Sequence, residues 1–455
     1  MNTSNRALPG AALGLALAVA LAAAPEGAPP AGARGAAPLR FDSDAGGRIE
    51  ASVYSLPSRT LAAPECVAFL RAVRAVAPQR ILTVLADDNQ ERALRAEARA
   101  LGIRLITTSR ADYTPWPRDP FSLAHDSAGN IVVAMRPNPQ PGREADAEMA
   151  REWVRGLPPD LVRAWGAPRL AVAETPFHNS QVLLTDDAVW VSLYTLEPHI
   201  LALLGLDRVP VEEFAYPAGI ERYVRAAHQA AAAIGEMYHR TPKFVHALPE
   251  AGDFAARHDL LSALGGGADF ALDSILTLIP SPNGLQALVG DVGAGGRWVS
   301  GLDATELEAL RTGFKFAPPT DPSPGALAES LGRAQQERRA VALGGFLDQI
   351  AVHLAASGAT VHRLPLLLVP TRLLAGTDPG GAPDFVLGWN NVVMESTPRG
   401  VRAEGFSSLI PTGDALARKT FADAGAALDL FPPLVPSVIL RGGYRCASNQ
   451  LKTKQ

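Results

Sequence analysis

The chain has 455 residues, 47% apolar and 19% charged, with a net charge of −4. That is an ordinary globular balance in a chain long enough to bury a large core. It excludes a nucleic-acid footprint, since charge is spread without a basic stripe or a long single-sign run.

At the N-terminus Arg6 precedes an apolar run from Ala11 to Ala24 that closes on small residues. A charged head, a short apolar stretch and a small-residue exit form the pattern of a secretory signal. The run is shorter than the roughly 20 residues of a membrane-spanning helix, and Pro25, Pro29 and Pro30 oppose a buried helix. Residues 1–24 are therefore expected to be a signal peptide, 25–45 an Ala/Gly/Pro-rich flexible leader, and 46–452 the folded domain. The expected location is secreted or periplasmic. No cysteine follows the apolar run to carry a lipid, so no stable membrane anchor is expected after cleavage.

Strand-like and helix-like segments alternate through the rest of the chain, which argues for an α/β fold. Arg80–Ala86 reads as a buried strand, Asn89–Gly102 as an amphipathic helix ending on glycine, and Ile103–Thr108 as a strand. Val182–Leu193 reads as a hairpin around Asp186 and Asp187, and Ile220–Met237 as a helix. Gln349–His353 and Thr360–Leu368 look like strands paired across Ser357 and Gly358. Asp384–Glu395 is a further apolar strand region, Asp414–Ala424 a helix, and Val435–Arg441 a last strand. Pro318–Pro324 is a Pro-rich loop, and no clean linker splits the chain.

Two short motifs carry candidate chemistry. In Trp116-Pro117-Arg118-Asp119-Pro120 the flanking prolines fix the direction of the Arg-Asp pair. A rigid Asp there can grip a planar cation through paired hydrogen bonds, although an ordinary turn with a surface ion pair reads the same way. In Gly442-Gly443-Tyr444-Arg445-Cys446-Ala447-Ser448-Asn449 two glycines let the backbone turn sharply. They present a thiol beside a cation that could hold it as thiolate, although a lone Cys is also a small buried hydrophobe. The only other cysteine is Cys66, and nothing in the sequence demands that the two pair.

Together, W-x-R-D and the C-terminal G-G-x-R-C-x-S-N resemble the guanidino-group-modifying enzymes of the pentein superfamily. These include agmatine deiminases, arginine deiminases and bacterial peptidylarginine deiminases. The segment Trp389–Glu395 adds to the resemblance, which spans most of residues 50–452 with a divergent middle. It implies a five-bladed, pseudosymmetric α/β propeller around a central site. It also implies that Cys446 is the nucleophile and Asp119 the first guanidinium-binding carboxylate, with Trp116, Arg118, Gly443 and Asn449 near the substrate.

The family's H-x-D motif is matched best by Phe346-Leu347-Asp348. That keeps the carboxylate in Asp348 but puts Phe346 where a proton-transferring His belongs. The family's E-G-G-(D/N) motif falls on His178-Asn179-Ser180-Gln181, with His178 for the Glu and Gln181 for the Asp or Asn. Either the imidazole has moved to His178, or the site binds without turnover, or the alignment is shifted. A shift would bring in Asp269 or His353, the latter disfavoured because an odd offset from Asp348 along a strand puts it on the opposite face. The long stretch between Asp119 and Asp348 implies an insertion at about 200–262, of the kind that decorates the rim of a site.

These residues imply a hydrolase of guanidino C–N bonds working through a covalent Cys adduct. The expected partner is a small guanidino compound or an arginine-containing peptide. Amidino transfer is a chemical neighbour, and a non-catalytic binding protein of the same fold is the alternative. No metal or organic cofactor is implied, because H-E-x-x-H, C-x-x-C and phosphate-loop patterns are missing.

Overall fold

A computed structural model of the chain describes residues 39–136, 143–172, 181–250, 252–256, 258, 271–316, 323–370, 373, 385–439 and 443–453. The expected signal peptide, His178 and Asp269 lie outside the described residues. Among the described residues no helix is long and apolar enough to cross a membrane.

The protein is a mixed α/β structure of several small sheets, and one pairing pattern recurs. Strands β1 (Arg48–Ser55), β2 (Ile81–Asp87) and β3 (Arg104–Thr108) are parallel neighbours, and the last strand, β18 (Ser448–Thr453), pairs antiparallel with β1. Next come β4 (Phe121–His125), β5 (Ile131–Met135) and β6 (Arg169–Val172), an antiparallel hairpin followed by a parallel partner. The same order recurs in β7 (Val182–Leu184), β8 (Ala188–Val191) and β9 (Thr241–Phe244). It recurs again in β10 (Leu276–Ser281), β11 (Gly284–Asp291) and β12 (Thr360–Pro365). The short strands β13 (Leu367–Val369) and β14 (Phe385–Leu387) form a separate antiparallel pair. Finally, β15 (Val393–Thr397), β16 (Gly400–Phe406) and β17 (Ala426–Phe431) repeat the hairpin-plus-parallel order.

Local chemistry explains why these segments form. The helix Asp88–Ala100 starts where the Asp87 carboxylate accepts from the Asn89 and Gln90 backbone N–H groups at 3.0 and 3.3 Å. It then buries Gln90, Leu94 and Ala98 along one stripe. Gln90 donates to the Cys66 sulfur at 3.0 Å, and burial raises that thiol's pKa to about 12. Cys66 is thus an inert core residue.

Several sequence expectations are corrected. Gln349–His353 lies not in a strand but inside the helix Arg338–Ala356, whose apolar residues Leu343, Phe346, Leu347, Ile350 and Leu354 recur at helical spacing and are buried. Val435–Arg441 begins as the short helix Val435–Ile439 rather than a strand. Asp384–Glu395 divides into β14 and β15, interrupted at 388–392. The helix expected at Ile220–Met237 is present as Pro217–Tyr238, in the crossover from β8 to β9. Residues 39–45, expected to end a flexible leader, are built in: Arg40 bridges His125, and Phe41 and Ala45 are buried.

Candidate active site

The antiparallel outer strands of the five recurrent sheets are each entered through a residue with chemistry. Asp119 stands two residues before β4, Gln181 one before β7, Asp273 three before β10, Asn391 two before β15 and Cys446 two before β18. Four of these meet. Asn391 donates its amide N–H to the Cys446 sulfur at 3.4 Å, and its Oδ1 accepts from the backbone N–H groups of Arg445 at 2.8 Å and Cys446 at 3.3 Å. The same amide reaches Ser274 Oγ at 3.5 Å, in the 3-10 turn that carries Asp273. Both Asp273 and Asp119 act electrostatically on the Cys446 thiol.

Asn391 is itself fixed by its neighbours. Trp389 donates to Asp414 at 3.1 Å, and Asn390 donates to the Leu288 carbonyl at 2.7 Å while accepting from Thr277 at 2.8 Å. Gly443 is required beside it, because a Cβ there would collide with the Asn391 side chain. Tyr444, two residues before the thiol, is anchored in a buried polar network. Its hydroxyl donates to Glu404 at 3.0 Å and meets Tyr54 at 2.9 Å, while Arg80 forks onto Glu404 at 2.6 and 2.7 Å.

The two carboxylates that act on the thiol are each half-satisfied. Asp119 Oδ2 accepts from Arg143 at 2.7 Å and Asp273 Oδ2 from Arg445 at 2.8 Å. Among the described residues the Oδ1 atom of each is buried without a hydrogen-bond partner. Unpaired buried acceptors are costly, by about 1–3 kcal/mol each, and such an atom needs an explanation such as a ligand. Burial, with Asp119 adding to it, pushes the Asp273 carboxyl up to about 6 against the pull of Arg445 and Arg118.

The cation beside the thiol does not hold it as thiolate, contrary to the sequence expectation. Burial, then Asp273 and Asp119, raise the Cys446 pKa well above its ordinary value, outweighing Asn391 and Arg445. The Arg445 guanidinium is turned away into carboxylates, onto Asp273 and onto Asp44 Oδ1 at 2.7 Å. Arg118 likewise donates to Gln450 at 2.9 Å and Asp44 at 3.3 Å.

Other expected site residues are placed as follows. Trp116 donates its indole N–H to Ser437 at 2.9 Å, and the Arg143 guanidinium lies over its ring at 4.7 Å. Asn449 is buried and donates to the Phe121 carbonyl at 2.7 Å, tying β18 to β4. Gln181 is buried next to Val182, whose carbonyl accepts from Arg445 at 3.3 Å. Asp348 does not join them: its side chain is 70% exposed and paired with Arg363 at 2.8 Å. Phe346 sits in the core against the His246 ring, with centroids 5.5 Å apart. His353 bonds the Phe244 carbonyl at 3.2 Å. The helical register at 338–356 is the reason: it turns Phe346 inward and Asp348 outward.

Sequence reasoning missed Asp273, Asn391, Asp44 and Arg143. The signal for Asp273 was the hairpin Leu276–Asp291 with its Pro282-Asn283-Gly284 turn directly after Leu272-Asp273-Ser274. Ala271 stands two residues before Asp273, at the spacing of a His-x-Asp pair but without the imidazole. Among the described residues no histidine partners Cys446, Asp119 or Asp273, and no group of three or more metal-ligating side chains is assembled.

No family model and no curated protein matches the sequence. Solved structures do. One described as a candidate agmatine deiminase is 11% identical, with a TM-score of 0.50 over 91% of this chain and 96% of its own. An agmatine deiminase of Enterococcus faecalis is 12% identical, with a TM-score of 0.47 over 93% of this chain and 99% of its own. At 11% identity the likeness is one of fold alone: in fold the chain resembles the structure described as a candidate agmatine deiminase.

Proposed function

We propose that the protein is a cysteine-dependent hydrolase of guanidino C–N bonds, with Cys446 as nucleophile and Asp119 and Asp273 as the guanidinium clamp. We infer that the five recurrent sheets are five blades around this shared centre. The observation that carries the reading is the pair of buried Oδ1 atoms, one on each carboxylate that acts on the thiol. A guanidinium offers five N–H donors in a planar fork, which is what two such acceptors lack.

The chemistry follows from the charges. Before substrate binds, the thiol is protonated, because burial and then two carboxylates oppose the thiolate. A bound guanidinium cancels the carboxylates' effect and favours the thiolate. Sulfur attack on the guanidinium carbon forms a C–S bond, the C–N bond breaks, and ammonia leaves with the thiol's proton. Water then attacks the amidino carbon, the C–S bond breaks, and a ureido product departs as the thiol is restored. Asp273 is the titratable group beside the sulfur able to carry the proton between these steps. A small guanidino compound fits the closed setting of Cys446 better than a protein side chain, because the sulfur is buried.

A second reading, a binding protein of the same fold, is favoured by one observation. The chain's own guanidinium groups already sit on both carboxylates, Arg143 on Asp119 and Arg445 on Asp273. Incubation with agmatine, arginine and arginyl peptides, followed by assay of ureido product and ammonia, separates the two. The hydrolase releases both in equal amounts and loses them in Cys446→Ala but not in Cys66→Ala. Saturable binding without product establishes the binder instead. We also propose export through residues 1–24, tested by fusing residues 1–40 to a reporter: a cytoplasmic, uncleaved reporter contradicts it.

A further inference from the structure

Next to the thiol, but not including it, is a cavity of about 40 Å3. Asp42, Asp44, Arg118, Arg445, Gln450 and Lys452 are on its wall, whereas Cys446, Asp119 and Asp273 are not. The space holds a few waters or one small ion, since a water needs about 10–15 Å3 by this measure.

The wall carries three cations and two carboxylates. Asp44 is fully engaged: Oδ1 accepts from Arg445 and Arg118, and Oδ2 from the Leu184 backbone N–H at 2.8 Å. Lys452 is different. Its ammonium is buried on β18 and, among the described residues, donates only to backbone carbonyls, Ser43 at 3.0 Å and Asp44 at 2.6 Å. An ammonium has three donors, and among the described residues no carboxylate forms an ion pair with this one. Burial, with Arg118 and Arg445 adding to it, brings the Lys452 pKa down to about 8 against Asp44 and Asp42. Asp44 and Asp42 act on the ammonium, but among the described residues neither bonds it through a carboxylate oxygen, and a buried donor without an acceptor is disfavoured.

We propose that this cavity is an anion site, taking one small monovalent anion of chloride or formate size, held by Lys452 with Arg118 and Arg445 on its wall. The anion supplies the third acceptor for the ammonium. Because Arg445 adjoins Cys446 and also bonds Asp273, such an anion would help fix the cation that borders the thiol. The proposal does not depend on the hydrolase reading, since it concerns only the cavity and its charges.

The test uses the full chain and bromide. Crystals of the wild type soaked in sodium bromide should show an anomalous peak within hydrogen-bond reach of Lys452 Nζ. In solution, chloride, bromide and formate should raise the melting temperature by roughly 2 °C or more over gluconate at matched ionic strength, as expected for a ligand of the folded state only. Lys452→Met should lose that difference. If Lys452→Met does not fold, Lys452→Gln replaces it, and the wild-type bromide map decides alone. Ordered water without anomalous signal in the cavity, or an equal response to gluconate, overturns the proposal. So does a Lys452 variant that keeps the full halide response.

Discussion

Asn391 and Cys446 hold each other at both ends: the Asn391 amide donates to the sulfur at 3.4 Å, and its Oδ1 accepts from the Cys446 backbone N–H at 3.3 Å. One side chain thereby fixes both the thiol and the loop that presents it. Asn391→Ala leaves two buried backbone donors, those of Arg445 and Cys446, without this acceptor. The expected loss is about 1–3 kcal/mol of stability, read from denaturant midpoints, together with slower alkylation of Cys446. Unchanged alkylation would show that the sulfur does not need Asn391.

The buried network below Tyr444 predicts a graded series. Tyr444→Phe removes the hydroxyl from Glu404 and Tyr54 and should lose about 1 kcal/mol. Glu404→Ala leaves Arg80 buried with its bidentate partner gone and should lose about 3–5 kcal/mol. Equilibrium unfolding of the two variants checks the order.

Asp273 gives the pH dependence its sign. Its folded pKa, about 6, lies above the ordinary carboxyl value of 3.8, so the folded state binds that proton more tightly than the unfolded one. Its contribution to stability is then greatest below the unfolded value and is lost as pH rises toward 6. The stability difference between wild type and Asp273→Asn should move in that direction between pH 4 and 6, by up to about 3 kcal/mol. A difference that does not change with pH across this window would mean that Asp273 titrates normally.

The proton shuttle can be moved by one residue. Ala271→His puts an imidazole in the H-x-D register with Asp273 and should raise turnover of a simple guanidino substrate roughly tenfold or more, with a new limb near neutral pH. Phe346→His changes a core residue instead and should lower stability on the order of 2 kcal/mol without helping turnover. Parallel steady-state kinetics and melting curves of the two variants distinguish these outcomes.

The sequence made the ends of the site legible because Trp116–Pro120 and Gly442–Asn449 are local motifs in which proline and glycine constrain the backbone directly. Cys446 and Asp119 were singled out that way. Asp273 was not, because a lone Asp before a hairpin has no such punctuation, while Leu347-Asp348 offered a competing match. The run at 343–354 reads as strand or helix over a short window, and only its full length settles the period. Asp44 was lost to composition: it follows an Ala/Gly/Pro-rich stretch, yet Arg445 and Arg118 draw it into the interior, where they overcome the burial that would otherwise raise its pKa. The recurrent hairpin-plus-parallel sheets were invisible as a repeat, since the pattern lies in strand pairing and not in residue identity.

The central claim is that Cys446 faces a guanidinium held by Asp119 and Asp273, and covalent trapping tests it most directly. Treatment with a haloacetamidine, which pairs a guanidinium-like cation with an electrophilic carbon, should be followed by peptide mass mapping. The account predicts stoichiometric labelling of Cys446, slowed by agmatine and by Asp273→Asn, with Cys66 unlabelled. Labelling of Cys66 alone, or labelling of Cys446 that is indifferent both to agmatine and to Asp273→Asn, would contradict it.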